Sequence, residues 1–218
     1  QMVVRHFRIS RRLAIHGSAP ICNLYRLNRA PDEVGKMFGA AAIATNAGEE
    51  IYPGYPGLVL AGAQLRTMTW GFPLSLTGKS GQKLKPKPVN NARADKLDSF
   101  MWRYSFAERR CLIPLTAFAE AEGMKGHKTR TWISLADQPV FTVAGIWRES
   151  DEWGPVYSMV MTEECIGMQG IHDRSPVIIA PSDRGQWQHG APEEARALCK
   201  PYAGALHLDR TDEPWVRR

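Results

Sequence analysis

Along this chain, short apolar runs separated by turn-forming residues outnumber the segments with helical spacing. Cys111 to Ala119, Arg130 to Leu135, Val140 to Trp147 and Val156 to Met161 read as strands, set apart by Gly123, Gly126, Asp137 and Gly154. Leu58 to Trp70 reads as one or two strands, with a hairpin broken near Gly62, and Val177 to Ala180 as a further short strand. Helical patterns are fewer. Pro31 to Ala44 opens with Pro-Asp-Glu and carries Val34, Met37, Phe38 and Ala41 at helical spacing. Asp95 to Arg109 places Leu97, Met101, Tyr104 and Phe100 on one predicted inner face. Short helices are predicted from Pro181 through Trp187 and from Pro192 to Cys199, and a bend or short helix from Thr162 to Gly170. The sum predicts an α+β fold: a mainly antiparallel sheet forming a partly closed, barrel-like core, with several peripheral helices.

Two segments between these elements read as loops. Asn46 to Gly57 holds three glycines and two prolines around Tyr52 and Tyr55. Ser75 to Pro88 is rich in Lys, Gly, Ser and Pro, and reads either as a solvated flexible loop or as a lip whose Lys79, Lys83, Lys85 and Lys87 contact phosphates.

Composition narrows the function classes. The 218 residues, 44% hydrophobic and 23% charged, suit one domain with a substantial core, expected over residues 22–218. The longest apolar patches fall well short of the roughly 20 residues a membrane span requires, so no membrane partner is expected. The net charge of +6 is concentrated at the start. Residues 1–21 carry Arg5, Arg8, Arg11 and Arg12 and no acid, which leaves 24 bases against 22 acids in the rest. Nucleic-acid affinity must therefore come from a local patch. Residues 1–21 read as a leader, a propeptide or an extension from a misassigned start, with no apolar segment suited to a secretory signal. The four cysteines, 22, 111, 165 and 199, form no Cys-x-x-Cys pair; they predict reduced thiols in a cytoplasmic setting, with no disulfide framework, metal site or cofactor. Cys111, Cys165 and Cys199 read as packing residues.

Chemistry gathers around Cys22. A cysteine becomes a nucleophile when a base or positive environment raises its thiolate fraction. Glu120 follows an apolar run, so its carboxylate must reach solvent or hold a partner. His172 adds an imidazole, and Asn91 an amide. Taken together and in order, Cys22-Asn23-Leu24-Tyr25, Trp70-Gly71-Phe72-Pro73, Asn91-Ala92-Arg93-Ala94, Arg110 to Pro114 with Phe118 and Glu120, Gly145-Ile146-Trp147, Thr162 and His172-Asp173-Arg174-Ser175-Pro176 resemble the SOS-response-associated peptidase (SRAP) family.

That resemblance implies a sensor and covalent trap of abasic sites in single-stranded DNA, a cytoplasmic, nucleoid-associated monomer that also carries thiol autopeptidase and lyase-like activity. Cys22 would become N-terminal on removal of the preceding residues and form a thiazolidine with the abasic sugar. By motif position, Glu120 would transfer protons, His172 would shuttle them in ring closure or reversal, and Asn91 would orient the reacting amine or a sugar oxygen. Arg93 would contact a phosphate. Thr162 and Arg174 would add DNA contacts, and Trp70 and Phe72 would stack on bases or pack in the core. The sequence departs from the family pattern at three points: Ile21 stands where Met usually precedes the cysteine, Ala119 and Ala121 replace aromatic residues beside the glutamate, and Ser175 replaces Met. Two other readings compete. One is a cysteine amide hydrolase using Cys22 and His172; the other is a non-catalytic single-stranded-DNA-binding module using the lysine segment, Arg93 and the tryptophans.

Overall fold

A computed structural model of the protein describes residues 22–41 and 44–215, so the expectations for residues 1–21 lie outside the described residues. In chain order the strands and helices are β1 (Tyr25–Arg26), α1 (Pro31–Phe38), β2 (Glu50–Ile51), β3 (Pro56–Ala61), β4 (Gln64–Trp70), β5 (Phe72–Thr77), β6 (Lys83–Val89), β7 (Asn91–Arg93), α2 (Arg103–Glu108), β8 (Arg110–Leu115), β9 (Ala117–Glu122), β10 (Thr129–Leu135), β11 (Phe141–Ser150), β12 (Gly154–Glu163), β13 (Arg174–Pro176), β14 (Ile178–Ile179), α3 (Arg184–His189), α4 (Pro192–Ala197) and β15 (Leu206–Pro214).

The barrel expected from the strand-rich pattern closes. β12 pairs with β4, β4 with β3, β3 with β8, β8 with β11, and β11 returns to β12, a ring of five strands in which only the β12–β4 contact is parallel. Closure covers these strands on both sides, which is why all six residues of β8, Arg-Cys-Leu-Ile-Pro-Leu, are buried. A second sheet, ordered β15-β10-β9-β1-β2, packs against the ring. Tyr25, Phe118 and Ile133 from this sheet share one apolar cluster with Val59, Trp70, Ile113 and Val143.

Alternation along β9 decides the site. Phe118 points into that shared core, whereas Ala117 and Ala119 point the other way and pack with Leu24 and Trp132. Side chains two apart share a face of a strand. Glu120 therefore follows Phe118 inward and is only 2% exposed. The predicted run Cys111 to Ala119 is thus two strands, β8 in the ring and β9 in the second sheet, divided at Thr116.

Other expectations are corrected in detail. The α1 helix stops at Phe38 because Gly39 takes a left-handed conformation (φ 61°), and Met37, expected inside, is 52% exposed. The Asn46–Gly57 loop contains β2 and the first residues of β3. Ser75 to Pro88 is not a flexible loop: β5 and β6 form a hairpin held by pairs such as Phe72 with Val89 and Leu76 with Leu84. The long helix expected over Asp95 to Arg109 is a short 3₁₀ turn followed by the six-residue α2. There Leu97, Trp102 and Phe106 are buried, while Phe100 and Tyr104 stand 82% and 63% exposed. β15 has no counterpart in the sequence reading. Among the described residues, no helix is long and apolar enough to cross a membrane.

Candidate functional site

β1 and β9 run antiparallel with Tyr25 opposite Phe118, and the Ala119 N–H donates to the Leu24 carbonyl at 2.9 Å. The residues just before β1, Cys22 and Asn23, consequently lie alongside Glu120. The Cys22 backbone N–H donates to the Glu120 carboxylate. The Cys22 carbonyl accepts from Asn91 Nδ2 at 3.0 Å and from Asn90 Nδ2 at 3.1 Å, and Asn90 Nδ2 also reaches Asn23 Oδ1 at 3.1 Å. The main-chain atoms on either side of the Cys22 Cα are thus held by three side chains. Asn91 was identifiable from its motif. Asn90 was not singled out, and the signal available for it is the doubled asparagine.

Electrostatics set the protonation states. Burial raises the Glu120 carboxyl to about 8; the Cys22 N–H and Lys128 pull it down, and Asp173 pushes it up. At neutral pH the group is mainly a carboxylic acid. Its Oε1 is buried with no hydrogen-bond partner among the described residues. Burial, and secondarily Glu120, pushes the Cys22 thiol well above its ordinary value. The thiol is therefore protonated, the opposite of an activated thiolate.

His172 lies just before β13 with its side chain 5% exposed. Its Nδ1 accepts the Arg174 backbone N–H at 3.0 Å and lies 3.1 Å from Asp173 Oδ1. The same loop brings Asp173 within electrostatic range of both Glu120 and Arg93.

Arg93, Thr162 and Arg174 line one open cleft of about 560 Å³, together with Arg196 of α4. The Arg93 fork is occupied by Asp95, at 2.9 and 2.6 Å, so a phosphate reaching it must compete with that carboxylate. Trp70 and Phe72 correct the stacking expectation: both are 0% exposed and offer no face to a base. Trp70 instead donates from Nε1 to the Asn90 carbonyl at 3.0 Å, anchoring the junction of β6 and β7 that carries the two asparagines. Phe72 packs on Trp102 with ring centroids 5.0 Å apart and lies under the Arg148 guanidinium.

Of the sequence departures, Ala119 is buried against Leu24 and Trp132. Ser175 donates to the Glu163 carbonyl at 2.9 Å and receives the Cys165 thiol at 2.9 Å, a buried packing role. Among the described residues, no group of His, Cys, Asp or Glu side chains is placed to hold a metal ion.

The sequence profile described as SOS response associated peptidase (SRAP) matches residues 21–212. The chain belongs to the SRAP family. Among curated proteins, it is 28% identical over 150 residues to the abasic site processing proteins YoqW and YoaM of Bacillus subtilis, covering 64% of this chain. The match spans 65% of the length of YoqW and 64% of YoaM. Solved structures agree on the fold. A protein from Bacteroides thetaiotaomicron superposes with a TM-score of 0.72 at 17% identity, over 87% of this chain and 91% of that one. A protein from Bordetella bronchiseptica gives 0.71 at 20% identity, over 87% and 99%. The SRAP match begins one residue before Cys22.

Proposed function

We propose that this SRAP protein senses abasic sites in single-stranded DNA and captures them through an N-terminal Cys22, exposed when the Ile21–Cys22 bond is hydrolysed, in a single domain spanning residues 22–218. The observation that carries the reading is the hydrogen bond from the Cys22 backbone nitrogen to a buried, mainly protonated Glu120. That nitrogen is an amide while Ile21 is attached and is not nucleophilic. Hydrolysis adds water across the bond and leaves an α-amine at the same position, beside a carboxylic acid.

The chemistry then follows in two steps. The abasic sugar opens to its aldehyde, the amine adds to that carbon, and one water leaves to give an imine. The Cys22 thiol adds across the imine, forming the C–S bond while its proton passes to nitrogen, and the five-membered thiazolidine closes. Glu120 as an acid protonates the departing oxygen, and as its conjugate base accepts a proton from the amine. Asn91 and Asn90 hold the Cys22 carbonyl so that amine and thiol face the same carbon. The His172 imidazole shuttles a further proton in closure or reversal, and Arg93, Thr162 and Arg174 bind the flanking backbone.

The amide-hydrolase reading needs a thiol of depressed pKa, whereas burial and Glu120 push Cys22 upward. A direct test incubates the protein with a single-stranded oligonucleotide bearing one abasic site and resolves the mixture under denaturing conditions. A retained protein–DNA species is expected for the natural sequence and not for Cys22→Ala. Retention of the same species by Cys22→Ala would sink the proposal.

A further inference from the structure

In the turn and helix that follow Asp95, a residue of the arginine-lined cleft, the chain exposes two aromatic rings that the site so far described does not use. Arg196, a cleft residue, pairs with Asp98 at 2.5 Å. Two residues beyond Asp98 stands Phe100, 82% exposed, and Tyr104 follows it at 63%. Arg103 lies between them. Its guanidinium sits 4.7 Å from the Tyr104 ring centroid and 5.6 Å from that of Phe100, and donates to the Tyr104 hydroxyl at 2.9 Å. Among the described residues Arg103 has no acidic partner, so its charge is available to a phosphate.

The local backbone explains the exposure. Ser99 accepts N–H bonds from Trp102 at 3.0 Å and Arg103 at 2.9 Å, a tight turn that sends Trp102 inward and leaves Phe100 on the outside. Large exposed rings beside a guanidinium with no acidic partner among the described residues, linked to the arginine-lined cleft through the Asp98–Arg196 pair, have the composition of a single-strand binding surface, where bases stack and the backbone meets cations. An apolar protein partner would be poorly matched by the adjoining Arg103 and Arg196.

We infer that Phe100, Arg103 and Tyr104 form a stacking platform for the single-stranded DNA flanking the captured site, outside the Arg93–Arg174 cleft. The inference rests on the single-stranded-DNA reading above, but it concerns the flank and not the covalent step.

The test uses the full chain, the double variant Phe100→Ala/Tyr104→Ala and, separately, Arg103→Gln. Two unreactive thymine oligonucleotides serve as probes, a short one able to fill the cleft alone and a longer one reaching beyond it, with binding read by fluorescence anisotropy. Adduct yield is read separately on a short abasic oligonucleotide. The double variant should bind the long probe about tenfold more weakly, with short-probe affinity and adduct yield unchanged. Arg103→Gln should lower the slope of log affinity against log salt on the long probe by roughly 0.7. Unchanged affinity on both probes, or an equal loss on both, overturns the platform. So does a change of sedimentation in the double variant with no change in DNA binding, which would mark a protein-docking surface. Loss of the adduct in the unaltered protein would overturn the covalent reading alone, because the anisotropy comparison does not depend on it.

Discussion

At the scale of single residues, Glu120 decides most. Its depth on β9 leaves it 2% exposed and raises its carboxyl from an ordinary 4.5 to about 8. An acid whose folded pKa is raised binds more protons folded than unfolded between those two values. Stability is therefore full below about pH 4.5 and falls as pH rises toward about 8, by about 5 kcal/mol. Glu120→Gln keeps the shape and cannot ionise. It should flatten that decline, so that the variant melts higher than the natural protein at pH 9 while the two differ little at pH 4. In the same variant the rate of abasic-site capture should fall by about 10²–10⁴-fold. Any alkaline loss of rate near pH 8 should vanish with it. Pre-steady-state adduct formation across pH, beside thermal denaturation, separates the two effects; a variant that captures at the natural rate would remove Glu120 from the chemistry.

At the scale of elements, the site depends on how the second sheet meets the ring. Tyr25 of β1 and Tyr157 of β12 hydrogen-bond through their hydroxyls across that junction, both fully buried. Gly57 of β3 lies against the two hydroxyls, and a Cβ there would collide with both. Gly57→Ala should destabilise the protein by about 1–3 kcal/mol, and adding Tyr157→Phe should restore part of the loss by vacating one hydroxyl. Denaturant unfolding of the single and double variants checks this. A second fastening is Arg110, buried at the start of β8, whose guanidinium binds the carbonyls of Phe106, Ala107, Trp187 and Gly190 and so ties the ends of α2 and α3 to the ring.

The same scale shows what could be read from sequence. The β3–β4 hairpin and its turn at Gly62 (φ 62°) follow from local pattern, as do α1, α3, α4 and the main strands. Asn91 was singled out through the resemblance to the family's motif order and Glu120 also by its place after an apolar run, and the structure sets both against Cys22. What was missed depends on partners distant in sequence. The Lys- and Pro-rich segment becomes the β5–β6 hairpin through cross-strand pairs that composition conceals. β15, Leu-His-Leu-Asp-Arg-Thr-Asp-Glu-Pro, lacks an apolar run, and is held by β10 and by Glu213 and Thr211 bonding to the buried Arg130. Trp70 and Phe72 were equally suited to stacking or packing by residue type; only their position inside the ring decides for packing. Phe100 and Tyr104 fit an inner helical face by spacing, yet the turn at Ser99 reverses their direction.

At the scale of the whole molecule, a closed five-strand ring and a second sheet hold a cysteine nitrogen, two asparagines and a buried carboxyl in one place, with an arginine-lined cleft within electrostatic range. The net charge of +6 lies mostly in residues 1–21, so the proposed recognition of single-stranded DNA has to rest on the local cleft and the proposed platform more than on overall charge. All of this converges on the state of one bond, between Ile21 and Cys22. The most direct measurement is mass spectrometry of the full chain before and after incubation with an abasic single-stranded oligonucleotide, followed by peptide mapping. The account predicts loss of residues 1–21, then a protein–DNA adduct one water lighter than the sum of its parts, with the added mass on the peptide beginning at Cys22. A chain that keeps residues 1–21 and forms no adduct, or an adduct mapped to a lysine, would contradict it.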